Sequence, residues 1–258
     1  MAAGSLHVES YGDGPPLLLI AGLGQGGWVW GDVAPTLARK RRVLVFDNHG
    51  TGRSPPPARS SVEELAADAA SVLPGPADVL GFSMGGYAAL TLALTEPELV
   101  RSLVLAATGA GGPTRVPRPA HVRAAFDRAI GLPPEEFGRR TMPYTFSPGW
   151  AEAHPARFEE ILAERLERPT PYETLEAHVA ACYGFYEAAY EVERVTARAL
   201  VVHGDADLIV PIENGRMLAQ RLPEAEYVEL PGRGHNLMLE DPETLVSLVE
   251  RFLDGRQA

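Results

Sequence analysis

The chain has 258 residues, 45% of them hydrophobic and 22% charged, enough to bury a core in one large domain or in one domain carrying an insertion. Its 34 acidic against 23 basic residues give a net charge of −11, which repels phosphate backbones and anionic lipid surfaces and argues against nucleic acid or membrane as a partner. The single cysteine, Cys182, cannot close an internal disulfide or build a zinc cluster, and the single lysine, Lys40, sits in a basic run that reads as a solvated helix end, leaving none for a P-loop, a Schiff base or a Tyr-x-x-x-Lys dehydrogenase.

In chain order, the start shows neither the basic stretch nor the apolar core of a secretory leader, and no apolar run approaches 18 residues, so a cytoplasmic protein is expected. Residues 17–20 read as a buried strand, 30–39 as a helix and 42–46 as a second strand. Ser61 and Glu64 have capping-box spacing ahead of a helix reaching Leu73. A third strand is expected at 78–81, a helix apolar nearly all round at 87–94, and a fourth strand at 99–105. From about 111 to 190 strand-like runs vanish, prolines cluster, and the pattern is helical. Strands resume at 199–202 and 227–230, with helices at 214–222 and 242–253. The expected fold class is therefore α/β, a mostly parallel sheet with helices on both faces. Residues 1–111 and 191–258 would form the core, and 112–190 a helical cap inserted in it.

Gly81-Phe82-Ser83-Met84-Gly85 lies between a strand and a helix, the context in which a G-x-S-x-G turn holds a serine at the top of a sheet. A serine hydroxyl needs a base oriented by a third group. Carboxylates follow the resumed strand at 199–202 in His203-Gly-Asp205-Ala-Asp207, and an imidazole follows the last strand in Pro231-Gly-Arg-Gly-His235. The chain order Ser, Asp, His is that of an α/β-hydrolase triad.

On these motifs the whole chain resembles the α/β-hydrolase superfamily. The family's His-Gly-x-Gly loop corresponds to Ala21-Gly22-Leu23-Gly24, and its Asp-x-Arg-Gly-x-Gly-x-Ser loop to Asp47-Asn-His49-Gly50-Thr-Gly52-Arg-Ser54, with Ala21 and His49 departing from the usual residues. The resemblance implies a cap after the sixth strand, Asp207 rather than Asp205 as the triad acid, the N–H groups of Leu23 and Met84 as an oxyanion hole, and no cofactor or metal. It implies hydrolysis of a small ester or lactone by a monomer or homodimer, similar to enol-lactonases, small carboxylesterases and cofactor-free haloperoxidase-like enzymes. The alternatives on the same fold are a perhydrolase or a natural-product tailoring enzyme performing cyclisation, C–C bond chemistry or decarboxylation.

Two other motifs compete. Gly22-Leu-Gly24-Gln-Gly-Gly27, with Asp47 following the next strand, matches a dinucleotide fingerprint but leaves the triad unexplained. His203, Asp205 and Asp207 could be drawn as metal ligands, yet a turn after a strand accounts for them. Cys182 reads as a packed thiol, and His7, His121, His154 and His178 as surface or packing residues. The aromatics of 112–190 suggest an enclosed apolar pocket, for which Trp28, Trp30, Phe146, Tyr183 and Tyr186 are the candidate substrate contacts.

Overall fold

The structure, a computed structural model, describes residues 5–255. Seven strands form one sheet in the order β1-β3-β2-β4-β5-β6-β7. They are β1 (Val8–Tyr11), β2 (Pro16–Ile20), β3 (Arg42–Phe46), β4 (Ala77–Phe82), β5 (Val100–Ala106), β6 (Arg198–Gly204) and β7 (Ala225–Leu230). Only β1 runs antiparallel, on β3; all other pairs are parallel, as covered βαβ units require.

The apolar runs of the central strands alternate between two cores. Leu17, Leu19, Val43, Val45, Leu80 and Leu200 face one side, with α1 (Val33–Leu37), α10 (Leu237–Glu240) and α11 (Pro242–Leu253). Leu18, Ile20, Leu44, Val79, Leu103 and Val201 face the other, with α2 (Val62–Val72), α3 (Met84–Thr95) and α9 (Ile212–Arg221). Helix α2 begins where the capping pattern predicts: Ser61 accepts the Glu64 N–H at 3.2 Å, and the Glu64 carboxylate accepts the Ser60 N–H at 3.1 Å. Helix α3 is buried along nearly its whole length, which explains why its sequence is apolar all round.

Between β5 and β6 run α4 (Ala120–Ala129), α5 (Pro134–Thr141), α6 (Trp150–Ala153), α7 (Pro155–Glu167) and α8 (Tyr172–Glu187). The insertion thus follows the fifth strand, not the sixth. Among the described residues the chain before β2 forms one strand, β1, whose half-exposed, polar sequence gives little signal of its own. The expected helix at 30–39 is also divided: a 3-10 turn over Gly27–Trp30 precedes the short α1.

Two expected substrate contacts belong to the core. Trp30 is 1% exposed and packs among Val29, Val33 and Leu37 beneath the sheet. Phe146 is fully buried, stacked on Trp150 with ring centroids 4.2 Å apart, in the same core as Leu237 and Met238, and its backbone lies against Gly234 of the loop after β7. Truncation to Phe146→Ala is expected to cost about 3–5 kcal/mol of stability, because the void has no room to collapse. Urea unfolding measures this directly, and a loss below about 1 kcal/mol would contradict a packing role.

Candidate active site

Four loops converge at the carboxyl ends of β2, β4, β6 and β7, the edge at which parallel sheets place their chemistry. Ser83 ends β4 and starts α3 with φ 54° and ψ −118°, a conformation that costs a non-glycine residue on the order of 1–3 kcal/mol. Several contacts hold it there. Its N–H donates to Ala106 O at 3.0 Å, and its carbonyl accepts from Gly86 N at 2.9 Å and from Thr108 Oγ1 at 2.9 Å. The flanking glycines are steric necessities: a Cβ on Gly81 would lie 2.4 Å from Gly85 O, and one on Gly85 would lie 2.2 Å from Ile20 O.

Beside Ser83 Oγ, at 3.0 Å, is His235 Nε2, and His235 Nδ1 lies 2.8 Å from Asp207 Oδ2. A carboxylate accepts only, so Nδ1 carries the proton and Nε2 presents its lone pair to the serine hydroxyl. Asp207 is fixed from further directions. Its Oδ1 accepts the N–H groups of Ile209 and Val210 at 2.8 and 2.9 Å, and His203 Nε2 lies 3.3 Å from Oδ2. Burial alone would raise this carboxyl's pKa. The positive charge His235 can carry and the hydrogen bonds from His203 and His235 outweigh that and hold it well below the usual carboxylate range.

Asp205 is turned away, accepting the Gly232 N–H at 2.6 Å and so bracing the turn before His235. His203 donates Nε2–H to Val210 O at 2.8 Å, tying β6 to the loop that carries Asp207. Among the described residues no group of three or more His, Cys, Asp or Glu is arranged to hold a metal ion. The dinucleotide motif has a structural explanation. Asp47 Oδ1 accepts the Gly27 N–H at 2.6 Å and Oδ2 accepts the Arg53 N–H at 2.8 Å. A Cβ on Gly26 or Gly52 would strike that carboxylate, so acid and glycines cross-brace two loops, and the glycine segment leads into the 3-10 turn, not into a long helix.

The two departures from the family pattern are also accommodated. Ala21 is fully buried, and His49 Nδ1 donates to Asp68 Oδ2 at 2.7 Å in a site where Arg59 grips the same carboxylate with two nitrogens. The Cys182 thiol is buried, which pushes its pKa up to about 12 and keeps it protonated.

Sequence reasoning overlooked the grip of the insertion on two of the site loops. Asn236 N–H donates to Thr145 O at 2.8 Å, and Glu240 accepts from Gly234 N–H at 3.0 Å and from Ser147 N–H at 3.1 Å, tying the histidine loop to residues 145–147. On the other side, Gly24 of the Leu23 loop donates its N–H to His178 Nδ1 at 3.1 Å, and its carbonyl accepts from Thr170 Oγ1 at 2.7 Å. The clue was an imidazole at the spacing of Thr174, Ala181 and Phe185, the inward face of α8. Of the remaining candidates, Tyr183 is 54% exposed on the outer side of α8 and its ring stands clear of the interior, contrary to expectation. Tyr186 is half-buried, places its hydroxyl 3.4 Å from that of Tyr87, and lines a small cavity with Arg115, Val210 and Asn214; Trp28 is half-buried at the edge of the core.

A parallel sheet with a strained serine elbow and histidine and aspartate on later loops defines the α/β-hydrolase class. The family model for the alpha/beta hydrolase fold matches residues 15–242, and the chain belongs to that family. It is 30% identical to the putative carbamate hydrolase RutD of Caulobacter vibrioides, over 97% of this chain and 96% of that protein. It is 31% identical to the pimeloyl-[acyl-carrier protein] methyl ester esterase of Nitrosomonas europaea, over 94% and 97% of the two chains. Among solved structures it resembles the enol-lactonase of Burkholderia xenovorans LB400, with a TM-score of 0.82 and 25% identity over 96% of each chain.

The buried His178 imidazole has its pKa pulled from 6.5 down to about 4 by desolvation. Between these values the unfolded chain binds a proton that the folded chain refuses. Stability attributable to this group is therefore full above pH 6.5, falls by about 3 kcal/mol as the pH drops toward 4, and changes little below that. Urea midpoints at pH 7.5 and 4.5 should show a smaller acid loss in His178→Asn than in the parent; equal losses would contradict the assignment.

Proposed function

We propose that the protein hydrolyses a small hydrophobic or aromatic carboxylic ester or lactone through an acyl-enzyme on Ser83. The observation that carries this reading is the continuous relay from Ser83 Oγ through His235 to Asp207, 3.0 and 2.8 Å long. As Oγ attacks the carbonyl carbon, its proton passes to His235 Nε2, and Asp207 steadies the imidazolium that forms. The oxyanion is received by the N–H groups of Met84, at the start of α3, and Leu23, each contributing about 3 kcal/mol in comparable acyl-transfer sites. Collapse of the tetrahedral species expels the alkoxide, which takes the proton from His235. A water then gives its proton to the same nitrogen while its oxygen attacks the acyl carbon, and the acid departs with Ser83 reprotonated.

Residues 112–190 serve in this reading as a cap that limits water and selects the substrate. Its support is the near-complete burial of Ser83 and the hydrogen bonds between insertion and loops. Tyr186 and Trp28 remain the aromatic contacts, since neither is committed to the core interior. The esterases and the lactonase among similar proteins favour the ester class, and an acidic surface favours a neutral substrate over a polyanion.

Replacing Ser83 by alanine should abolish turnover of a p-nitrophenyl ester and labelling by a fluorophosphonate, while Asp207→Asn should lower kcat by about three to four orders of magnitude. Undiminished turnover in Ser83→Ala would overturn the assignment. Labelling of Ser83 without turnover of any ester in a panel would instead favour a non-hydrolytic reaction on the same site.

A further inference from the structure

Helix α8 turns an imidazole toward the core. His178 is fully buried on the face formed with Thr174, Ala181, Cys182 and Phe185, and among the described residues no carboxylate pairs with it. Its Nδ1 accepts the Gly24 N–H, so the ring proton resides on Nε2, which has no partner among the described residues. A helix face that served only for packing would carry leucine or alanine here, because a half-satisfied buried imidazole is costly. The cost becomes intelligible at the other end of the hydrogen bond.

Gly24 is buried and left-handed, with φ +65°, and a Cβ there would come within 2.5 Å of the Leu175 side chain. The insertion contacts Gly24 from both sides: His178 accepts its N–H at 3.1 Å, and Thr170 donates to its carbonyl at 2.7 Å. One turn away, Thr174 donates to Gly50 O at 3.2 Å and anchors the same helix to the neighbouring loop. The Gly24 N–H belongs to the peptide plane whose carbonyl is that of Leu23. The Leu23 N–H lies in the preceding plane, with the Gly22 carbonyl, which accepts the Gln25 N–H at 3.2 Å; with the Leu23–Gly24 plane clamped as well, Leu23 is held between two anchored peptide planes, which restricts the direction of its N–H.

We propose that His178 is a positioning residue for the oxyanion hole: with Thr170 it clamps Gly24 from the insertion and so aims the Leu23 N–H at the developing oxyanion. This rests on the serine-hydrolase reading above, in which Leu23 supplies one of the two donors. Burial keeps the imidazole neutral down to about pH 4, so it remains an acceptor at any neutral working pH. The insertion then does more than enclose substrate. The α8 contact completes the catalytic geometry, and a donor misaimed by a fraction of an ångström loses much of its preference for the transition state.

The test compares His178→Phe, His178→Asn, His178→Gln and Thr170→Val with the parent on a p-nitrophenyl ester, with melting curves to establish folding. Asparagine places its side-chain oxygen near the position of Nδ1, whereas glutamine reaches toward Nε2. His178→Phe should lower kcat about tenfold or more with KM changed less than about twofold, and slow fluorophosphonate labelling of Ser83 in parallel. His178→Asn should recover most of the loss and His178→Gln should not. Thr170→Val should lower kcat on its own, and should add little to the loss in His178→Phe. Parent-like kcat in folded His178→Phe or Thr170→Val, with Ser83→Ala inactive, overturns this proposal and leaves the serine mechanism intact. Turnover surviving in Ser83→Ala removes the mechanism itself. If His178→Phe fails to fold, the remaining three variants decide: asparagine and glutamine behaving alike, or Thr170→Val behaving as the parent, overturns the clamp.

Discussion

A carboxylate with no solvent contact depends entirely on the groups around it, and Asp207 has three donors, the Ile209 and Val210 amides and His235, with His203 Nε2 a further 3.3 Å away. Its charge in a buried position would be prohibitive without them. With them, the ionised form is favoured and the His235 ring is held in one orientation, with Nδ1–H toward the acid and Nε2 toward Ser83. The arrangement of the later loops serves this contact. Asp205 braces the Gly232 turn, and His203 ties the end of β6 to Val210, so the acid and the base approach from different strands at a fixed separation.

The serine is supported by a different device. Its backbone is strained, and the strain persists because sheet neighbours and helix α3 leave no alternative: the contacts at Ala106, Gly86 and Thr108 satisfy its peptide groups where it stands. Around this rigid centre the Leu23 and histidine loops, which have no regular structure of their own, lean on the insertion. Residues 145–147 strap the histidine loop, and Thr170 with His178 straps Gly24. The segment between β5 and β6 is thereby attached to two of the loops at the carboxyl edge of the sheet.

The buried strands and the loops that carry Ser83, Asp207 and His235 were legible because local sequence dictates them, and the juxtaposition of the three residues followed from the family resemblance. Buried parallel strands read as apolar runs, and a turn this tight demands glycine at 81 and 85. Strand β1 was not legible, since an edge strand with one partner needs no apolar face. The aromatics misled for a related reason. Composition shows that 112–190 is rich in rings but not which way each ring turns, and the insertion spends Phe146, Phe158 and Phe185 on its own attachment to the core while leaving Tyr183 outside. His178 was unreadable as a partner because its contact lies 154 positions away, on a loop glycine that offers only backbone.

The central claim is that a covalent ester forms on Ser83 and is cleared by water that His235 activates. Rapid-quench intact-mass spectrometry on His235→Gln, mixed with an activated ester, tests it most directly. The account predicts that an adduct of one acyl group, mapped to Ser83, builds up and persists because deacylation lacks its base. An adduct mapped to any other residue, or hydrolysis by the parent protein with no acyl intermediate detectable on Ser83 in either form, would contradict it.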